Sequence, residues 1–300
     1  MKIRPTIAES VERISRQFQN AGLHYGHGTA TARDEAAWLV LHVLGAPLDG
    51  GFDDWAHRPG PGQQAEIERL AALRCETRQP LAYLLGEAWF AGLAFEVSPD
   101  VLVPRSPIAE LVLDGFRPFA LPNEGGRVLD LCTGSGCIGI ATATYRPDCR
   151  VDLADISPAA LSVAERNVAR HGLAERVRCF ESDLFAALPR GAYDLVVSNP
   201  PYVPADDVSR LPGEYLAEPR LGLESGSDGL DAPRYLCEDG VLICEVGESE
   251  ERLADLLPEV PFLWLEFRHG GSGVFVLTRE ELIEAAPSIA AAAGNRVHVT

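Results

Sequence analysis

Three hundred residues carry 26 Lys and Arg against 44 Asp and Glu, a formal net charge of −18 and a pI near 4.8. With 46% hydrophobic and 23% charged residues, the composition is that of a soluble globular protein with enough chain for one large domain or two smaller ones. The acidity argues against a main task of gripping naked nucleic acid, and no apolar run reaches the length of a membrane span.

The amino-terminal stretch has no uninterrupted apolar core of the kind an export signal needs; Ile3, Ile7, Val11, Ile14 and Phe18 recur at helical spacing instead. The seven cysteines are scattered, with no CxxC pair, so a reduced cytoplasm is expected, with neither a zinc site nor a disulfide framework. Cys132 and Cys137 read as buried thiols rather than as a redox pair.

Residues 6 to 77 read as helices. Thr31 to Asp34 lead into EAAWLVLHVLG, which Gly45 and Pro47 stop. PGPG at 59–62 reads as a loop before a second amphipathic segment. The intervening HYGHGTA holds His24 and His27 between glycines, with no rigid element to present a metal; it reads as a loop capping the next helix. WFAGLAFEVSPDVLVPR then changes pattern, with two β-rich runs around Ser98-Pro99-Asp100 that predict a hairpin, and Pro107 opens IAELVLDGF as a helix. This predicts a helical domain over 1–86, a hairpin linker over 87–106 and a third region over 107–300.

From there strands and helices alternate. RVLDLC, RVDLADI, RVRCFESD, YDLVVSN and GVLICEV are strand-like, and Ser157-Pro158 cap the helix SPAALSVAERNVARHG. This is the signature of a parallel sheet covered on both faces, closed by an antiparallel pair from FLWLEF and GVFVLT.

Gly134-Ser135-Gly136-Cys137-Ile138-Gly139 follows a strand and opens a helix, with Asp155 ending the next strand. In a doubly wound sheet such an acid sits beside the first loop and can accept both hydroxyls of a ribose. An adenosine-bearing cofactor is expected. Asp130, just before the loop, is placed to meet a positive amino group, and Asp183, ending a third strand, to accept from an adenine amine. Three carboxylates suit cationic S-adenosylmethionine better than an anionic dinucleotide, although the loop alone leaves a nicotinamide-dependent oxidoreductase open.

The fourth strand ends in Asn199-Pro200-Pro201-Tyr202, which neither a helix nor a central strand can continue through. After a glycine loop, this motif resembles the amino-group methyltransferases. An amide nitrogen is a poor nucleophile and must be fixed with its lone pair aimed at a methyl donor. The Asn199 side chain and the Pro200 carbonyl can each accept one N–H, and Tyr202 can stack on the planar amide. DNA adenine methyltransferases share the motif, but the acidic charge and the lack of a basic recognition domain count against them.

Two longer stretches narrow the resemblance. EYLAEPRLGLESGSDGL (214–230) and PLAYLLGEAWFAGLAFEVSPDVLVPRSPIAEL (80–111) are similar to the protein-glutamine N5-methyltransferases of the translation machinery. Of the two branches, YGHGT, VLVPRSPIAEL, LWLEF and LDLCTGSGCI, with Cys132 where release-factor enzymes usually carry glycine, resemble the ribosomal branch. The resemblance implies a class I S-adenosylmethionine methyltransferase fold: an α/β, Rossmann-like, seven-stranded mixed sheet with a small amino-terminal helical domain. It implies a glutamine of large-subunit ribosomal protein three as target, a basic partner that suits the −18 charge. Release factors remain the alternative, and a catalytically silent assembly factor is disfavoured by intact Asn199 and Asp155. Carried over by position, Thr133, Gly134, Ser135, Gly136, Asp155, Leu184 and Asn199 line the cofactor, and Asn199, Pro200, Pro201 and Tyr202 hold the glutamine. Arg105 and Glu110 match family positions near the pocket. The chain departs from the family at DAPRYLC (231–237), where relatives usually carry a fuller crossover helix.

Overall fold

A computed structural model describes residues 4–48, 50–119, 125–201, 212, 214–219 and 234–296. The chain forms two compact units, one of Met1–Pro99, Val103–Arg105 and Leu211–Glu218, the other of Asp100–Leu102, Ser106–Arg210 and Pro219–Thr300. The division departs from the expected one at two places. The hairpin belongs with the helices rather than forming a linker, and a short segment from far downstream joins them.

In the helical unit, α1 (Ile7–Asn20) starts from a reciprocal cap: the Glu9 amide donates to the Thr6 hydroxyl at 3.1 Å, and the Thr6 amide to the Glu9 carboxylate at 2.7 Å. Its spacing buries Ile7, Val11, Ile14 and Phe18 of the stripe read from the sequence, whose first member, Ile3, lies outside the described residues. Helix α2 (Ala32–Leu44) ends at Gly45, at φ 64, as expected, but begins three residues before the expected Glu35, with Thr31 as its N-cap. Helix α3 (Pro61–Thr77) begins inside the supposed PGPG loop. Gly60 is its N-cap and Pro61 takes the first position, where a missing N–H costs nothing. After the short α4 (Leu81–Leu85), β1 (Glu87–Phe90) and β2 (Leu93–Glu96) pair antiparallel. Their turn is Ala91-Gly92, with φ of 47° and 77°, and not Ser98-Pro99-Asp100. Two residues in left-handed backbone match the twist of the flanking strands, which outweighs the stronger turn composition downstream.

The other unit is built on a seven-stranded sheet in the order β5-β4-β3-β6-β7-β9-β8. Strands β3 (Arg127–Leu131), β4 (Arg150–Asp155), β5 (Val177–Glu181), β6 (Tyr193–Ser198) and β7 (Leu236–Glu245) run parallel. Strand β9 (Val274–Thr278) is antiparallel to both β7 and β8 (Leu263–Trp264), the expected closing pair. Helices α5 (Ile108–Leu113), α6 (Cys137–Tyr145) and α7 (Pro158–Arg170) stand where the sequence places them, whereas α8 (Glu250–Leu256) and α9 (Arg279–Arg296) were not anticipated. The mixed seven-stranded sheet is the class I, Rossmann-like arrangement. The central strands are apolar on both faces, with Val128, Leu129, Val151, Leu153, Val196 and Val197 almost fully buried. Among the described residues no helix is long and apolar enough to cross a membrane. Of the short DAPRYLC connection, only Arg234 to Cys237 lie within the described residues.

Candidate active site

The chain runs β3, β4, β5 outward in one direction, then returns to lay β6 on the other side of β3. The strand order therefore switches between β3 and β6, and ligands of such sheets bind outside the carboxyl ends at this point. Both sequence motifs arrive there. Leu131 is paired with Ser198, so Cys132-Thr133 and Asn199 leave adjacent strands at the same edge. The Ser198 hydroxyl ties the two ends by donating to the Leu131 carbonyl at 2.8 Å.

Asp130 shapes the glycine loop from beneath. One carboxylate oxygen accepts from the Thr133 hydroxyl at 2.6 Å and from the Gly139 amide at 2.8 Å. The other is buried with no hydrogen-bond partner. Burial, opposed by those two bonds, raises the Asp130 carboxyl to about 7. Asp155 holds the loop from the side, accepting the Gly134 amide at 2.9 Å and the Ser157 amide at 2.9 Å; burial raises its carboxyl too. Asn167 of α7, which no motif indicated, donates from its side-chain nitrogen to the Ser135 carbonyl at 2.9 Å.

The glycines divide the work. Gly134, at φ 55, would carry a Cβ into open space, leaving its backbone approachable. Gly136, at φ 82, faces inward, where a Cβ would stand 2.9 Å from Ile140 Cδ1. At Gly139 a Cβ would fall 2.2 Å from Leu153 Cδ2 and 3.0 Å from the Asp130 Cβ. This third glycine lets α6 lie against β3 and β4. Gly139→Ala is therefore expected to cost about 2–3 kcal/mol by overpacking, read as a lowered thermal midpoint in circular dichroism. An unchanged midpoint would refute this packing.

Cys132 occupies φ 59, a conformation that favours glycine. Burial pushes the Cys132 and Cys137 thiols up to about 12, and all seven cysteines are free. Neither of the two should react with iodoacetamide at mildly alkaline pH while the protein is folded, a result checked by peptide mapping.

Asp183, past the end of β5, is exposed, and Leu184 beside it sits at φ 47. Asn199 is partly buried, and its side-chain oxygen is buried without a hydrogen-bond donor. Pro200 and Pro201 are partly buried, and Tyr202 lies outside the described residues. Arg105 forms a bidentate pair with Glu218 in the helical unit at 2.7 and 2.8 Å. Glu110 caps the Arg268 and His269 amides at 3.1 and 2.9 Å. The hydrogen bonds of both are thus structural.

The residues fit a cationic adenosyl ligand. The edge offers carboxylates at Asp130, Asp155 and Asp183 and an unpartnered buried oxygen on the first of them.

A family model described as the methyltransferase small domain matches residues 117–218. A ribosomal protein uL3 glutamine methyltransferase of Xanthomonas campestris pv. campestris is 49% identical, with 97% of this chain and 97% of its own length covered. A namesake from Xylella fastidiosa is 48% identical, covering 97% of this chain and 96% of its own. Among solved structures, a methyltransferase from Pyrococcus furiosus is 19% identical, covers 73% of this chain and 99% of its own, and superposes with a TM-score of 0.44. A ribosomal protein L11 methylase from Lactobacillus delbrueckii subsp. bulgaricus is 23% identical, with 61% and 82% covered and a TM-score of 0.39. Structural likeness of this order carries no argument about activity.

Proposed function

The chain belongs to the ribosomal protein uL3 glutamine methyltransferase family, and from that membership we propose that it methylates the side-chain nitrogen of a glutamine in ribosomal protein uL3, with S-adenosylmethionine as methyl donor. The observation that carries the reading is the buried, unpartnered oxygen of Asn199 at the sheet's switch point, in a chain 49% identical to a uL3 enzyme over nearly its whole length. A buried acceptor without a donor is rare in folded proteins, and a carboxamide N–H supplies what it lacks.

S-adenosylmethionine, when bound, supplies an electrophilic methyl group on a sulfonium. Gly134, with Thr133, Ser135 and Gly136, would present loop backbone to it; Asp155 would take the ribose, and Asp183 with Leu184 the adenine. Asp130 would face the cationic amino-acid portion with its free oxygen. Asn199 accepts one N–H of the glutamine and the Pro200 carbonyl the other, which turns the nitrogen's lone pair out of the hydrogen-bonded plane. Pro201 keeps the corner rigid. The residues thus act mainly by positioning, and no strong base is needed, because the nitrogen becomes acidic once alkylated.

An acidic enzyme attracts a basic ribosomal protein, so association should slow as salt is raised. A cytoplasmic location accords with such a substrate and with seven free thiols. The helical unit, in this reading, selects the substrate.

The test offers purified uL3 and purified release factor with labelled S-adenosylmethionine and locates the product by mass spectrometry. One added methyl on a uL3 glutamine, absent with the release factor, is the expected outcome. Label on the release factor alone would move the chain to the other branch.

A further inference from the structure

The buried face of α7 carries one residue that does not belong to its pattern. Leu161, Val163, Ala164 and Val168 form an apolar stripe, and Asn167 sits among them, itself 0% exposed. Asparagine is a poor former of helix interiors, and an amide taken out of water is costly unless it is bonded. An alanine here would satisfy propensity and burial together. Where a sequence breaks two local rules at one position, a specific contact is the thing to seek. Here it is the bond from the Asn167 side-chain nitrogen to the Ser135 carbonyl, 2.9 Å long and spanning 32 residues. Helix α7 lies against the same turn, since a Cβ on Gly136 would stand 3.3 Å from the Ala164 Cβ, one helical turn before Asn167.

That bond completes the fixing of one peptide plane. The Ser135 carbonyl and the Gly136 N–H belong to the same peptide unit; the first accepts from Asn167, and the second donates to the Thr133 carbonyl at 2.9 Å. Just upstream, the Thr133 amide donates to the Ala154 carbonyl at 3.0 Å and the Gly134 amide to Asp155 at 2.9 Å. The Gly134–Ser135 peptide unit takes part in none of these bonds, and it begins at the residue whose Cβ would meet open space. The loop is thus held on every side but the approachable one. Ser135 is 2% exposed, so its carbonyl, deprived of the Asn167 donor, is left buried and unsatisfied. We propose that Asn167 is a positioning residue for the cofactor: by holding the Ser135 carbonyl it keeps the glycine loop in the one arrangement that presents the Gly134–Ser135 backbone to S-adenosylmethionine. Asn199 stands on another strand and takes no part in this bond. Affinity for the cofactor, and not the methyl-transfer step, should therefore register its loss.

Asn167→Ala and Asn167→Val test this from opposite sides. One side chain is smaller than asparagine and the other larger, so the variants differ in packing and agree only in the lost donor. Alanine, the best helix former, secures a folded protein. Each variant is expected to raise the dissociation constant for S-adenosylhomocysteine roughly tenfold, read by calorimetry well below the melting midpoint, because the binding-competent loop becomes one arrangement among several. In the free protein, the Gly136 amide should exchange with solvent faster in both. With uL3 as substrate, KM for S-adenosylmethionine should rise while kcat at saturating cofactor stays within about twofold of wild type. A wild-type dissociation constant in either folded variant would show that Asn167 serves only to pack α7, and the inference falls. The binding measurement needs no protein substrate. Its outcome is therefore separate from whether a glutamine of uL3 is methylated.

Discussion

Asn199→Ala is expected to lower kcat for glutamine methylation by roughly 10²- to 10³-fold while the protein stays folded. The side-chain oxygen it removes has no hydrogen-bond donor in the described structure, so the folded state loses little when it goes. The bound carboxamide, by contrast, loses one of the two acceptors that set its plane, and an unoriented amide presents no lone pair to the methyl donor. Asn199→Gln is the sharper companion variant. It keeps the amide but carries it one methylene further, so a comparable loss would show that position, and not chemical type, is what the corner provides. Single-turnover methylation with saturating cofactor measures the step directly. Wild-type turnover in the alanine variant would remove the foundation of the proposed mechanism.

Asp130→Asn is expected to flatten the pH dependence of both stability and cofactor binding. The Asp130 carboxyl lies near 7 in the folded protein, against about 4 in an unfolded chain. A group raised on folding contributes stability that is complete below its unfolded value and lost as pH climbs through its folded one. From Asp130 alone the free protein should thus weaken between about pH 4 and pH 7, by on the order of 4 kcal/mol at most, and change little above. The asparagine variant should lack that share of the slope. Its oxygen still accepts from Thr133 and Gly139, though its NH₂ group takes the place of the unpartnered oxygen at a smaller and pH-independent cost. A cation beside that oxygen favours the ionised form, so binding S-adenosylmethionine just below pH 7 should expel a proton. Calorimetry in two buffers of different ionisation enthalpy counts it. Wild-type protein should give a buffer-dependent heat and the variant none; equal buffer dependence in both would assign the proton elsewhere.

Much of this frame is legible in the residues alone because period, caps and backbone-restricted residues are local signals. The alternation of strands and helices, the Ser157 cap, and the meeting of the glycine loop with Asn199 all follow from spacing and from the handedness of parallel crossovers. Where reading fails, the deciding partner is distant or has no side chain. The hairpin turns at Ala91-Gly92 because backbone twist there overrides the richer turn composition of Ser98 to Asp100. Asn167 and Ser198 act on carbonyls of Ser135 and Leu131, which any residue possesses, so neither leaves a motif. Glu214, Glu218, Arg74 and Glu35 look like surface charge in one dimension. Only the tertiary arrangement turns them into an interior ladder, in which Arg74 pairs with Glu35 and Glu214, Arg78 with Glu214 and Arg105 with Glu218.

That ladder also dictates an order of events during synthesis. The amide of His24 waits for a carboxylate 190 positions further along, and Arg74 and Arg78 wait with it. All of β3 to β6 therefore leaves the ribosome before the amino-terminal unit receives its last piece. The customary sequence, first domain finished first, cannot hold for this chain. On a translating ribosome the amino-terminal unit can acquire its last buried carboxylate only after most of the downstream sheet has emerged.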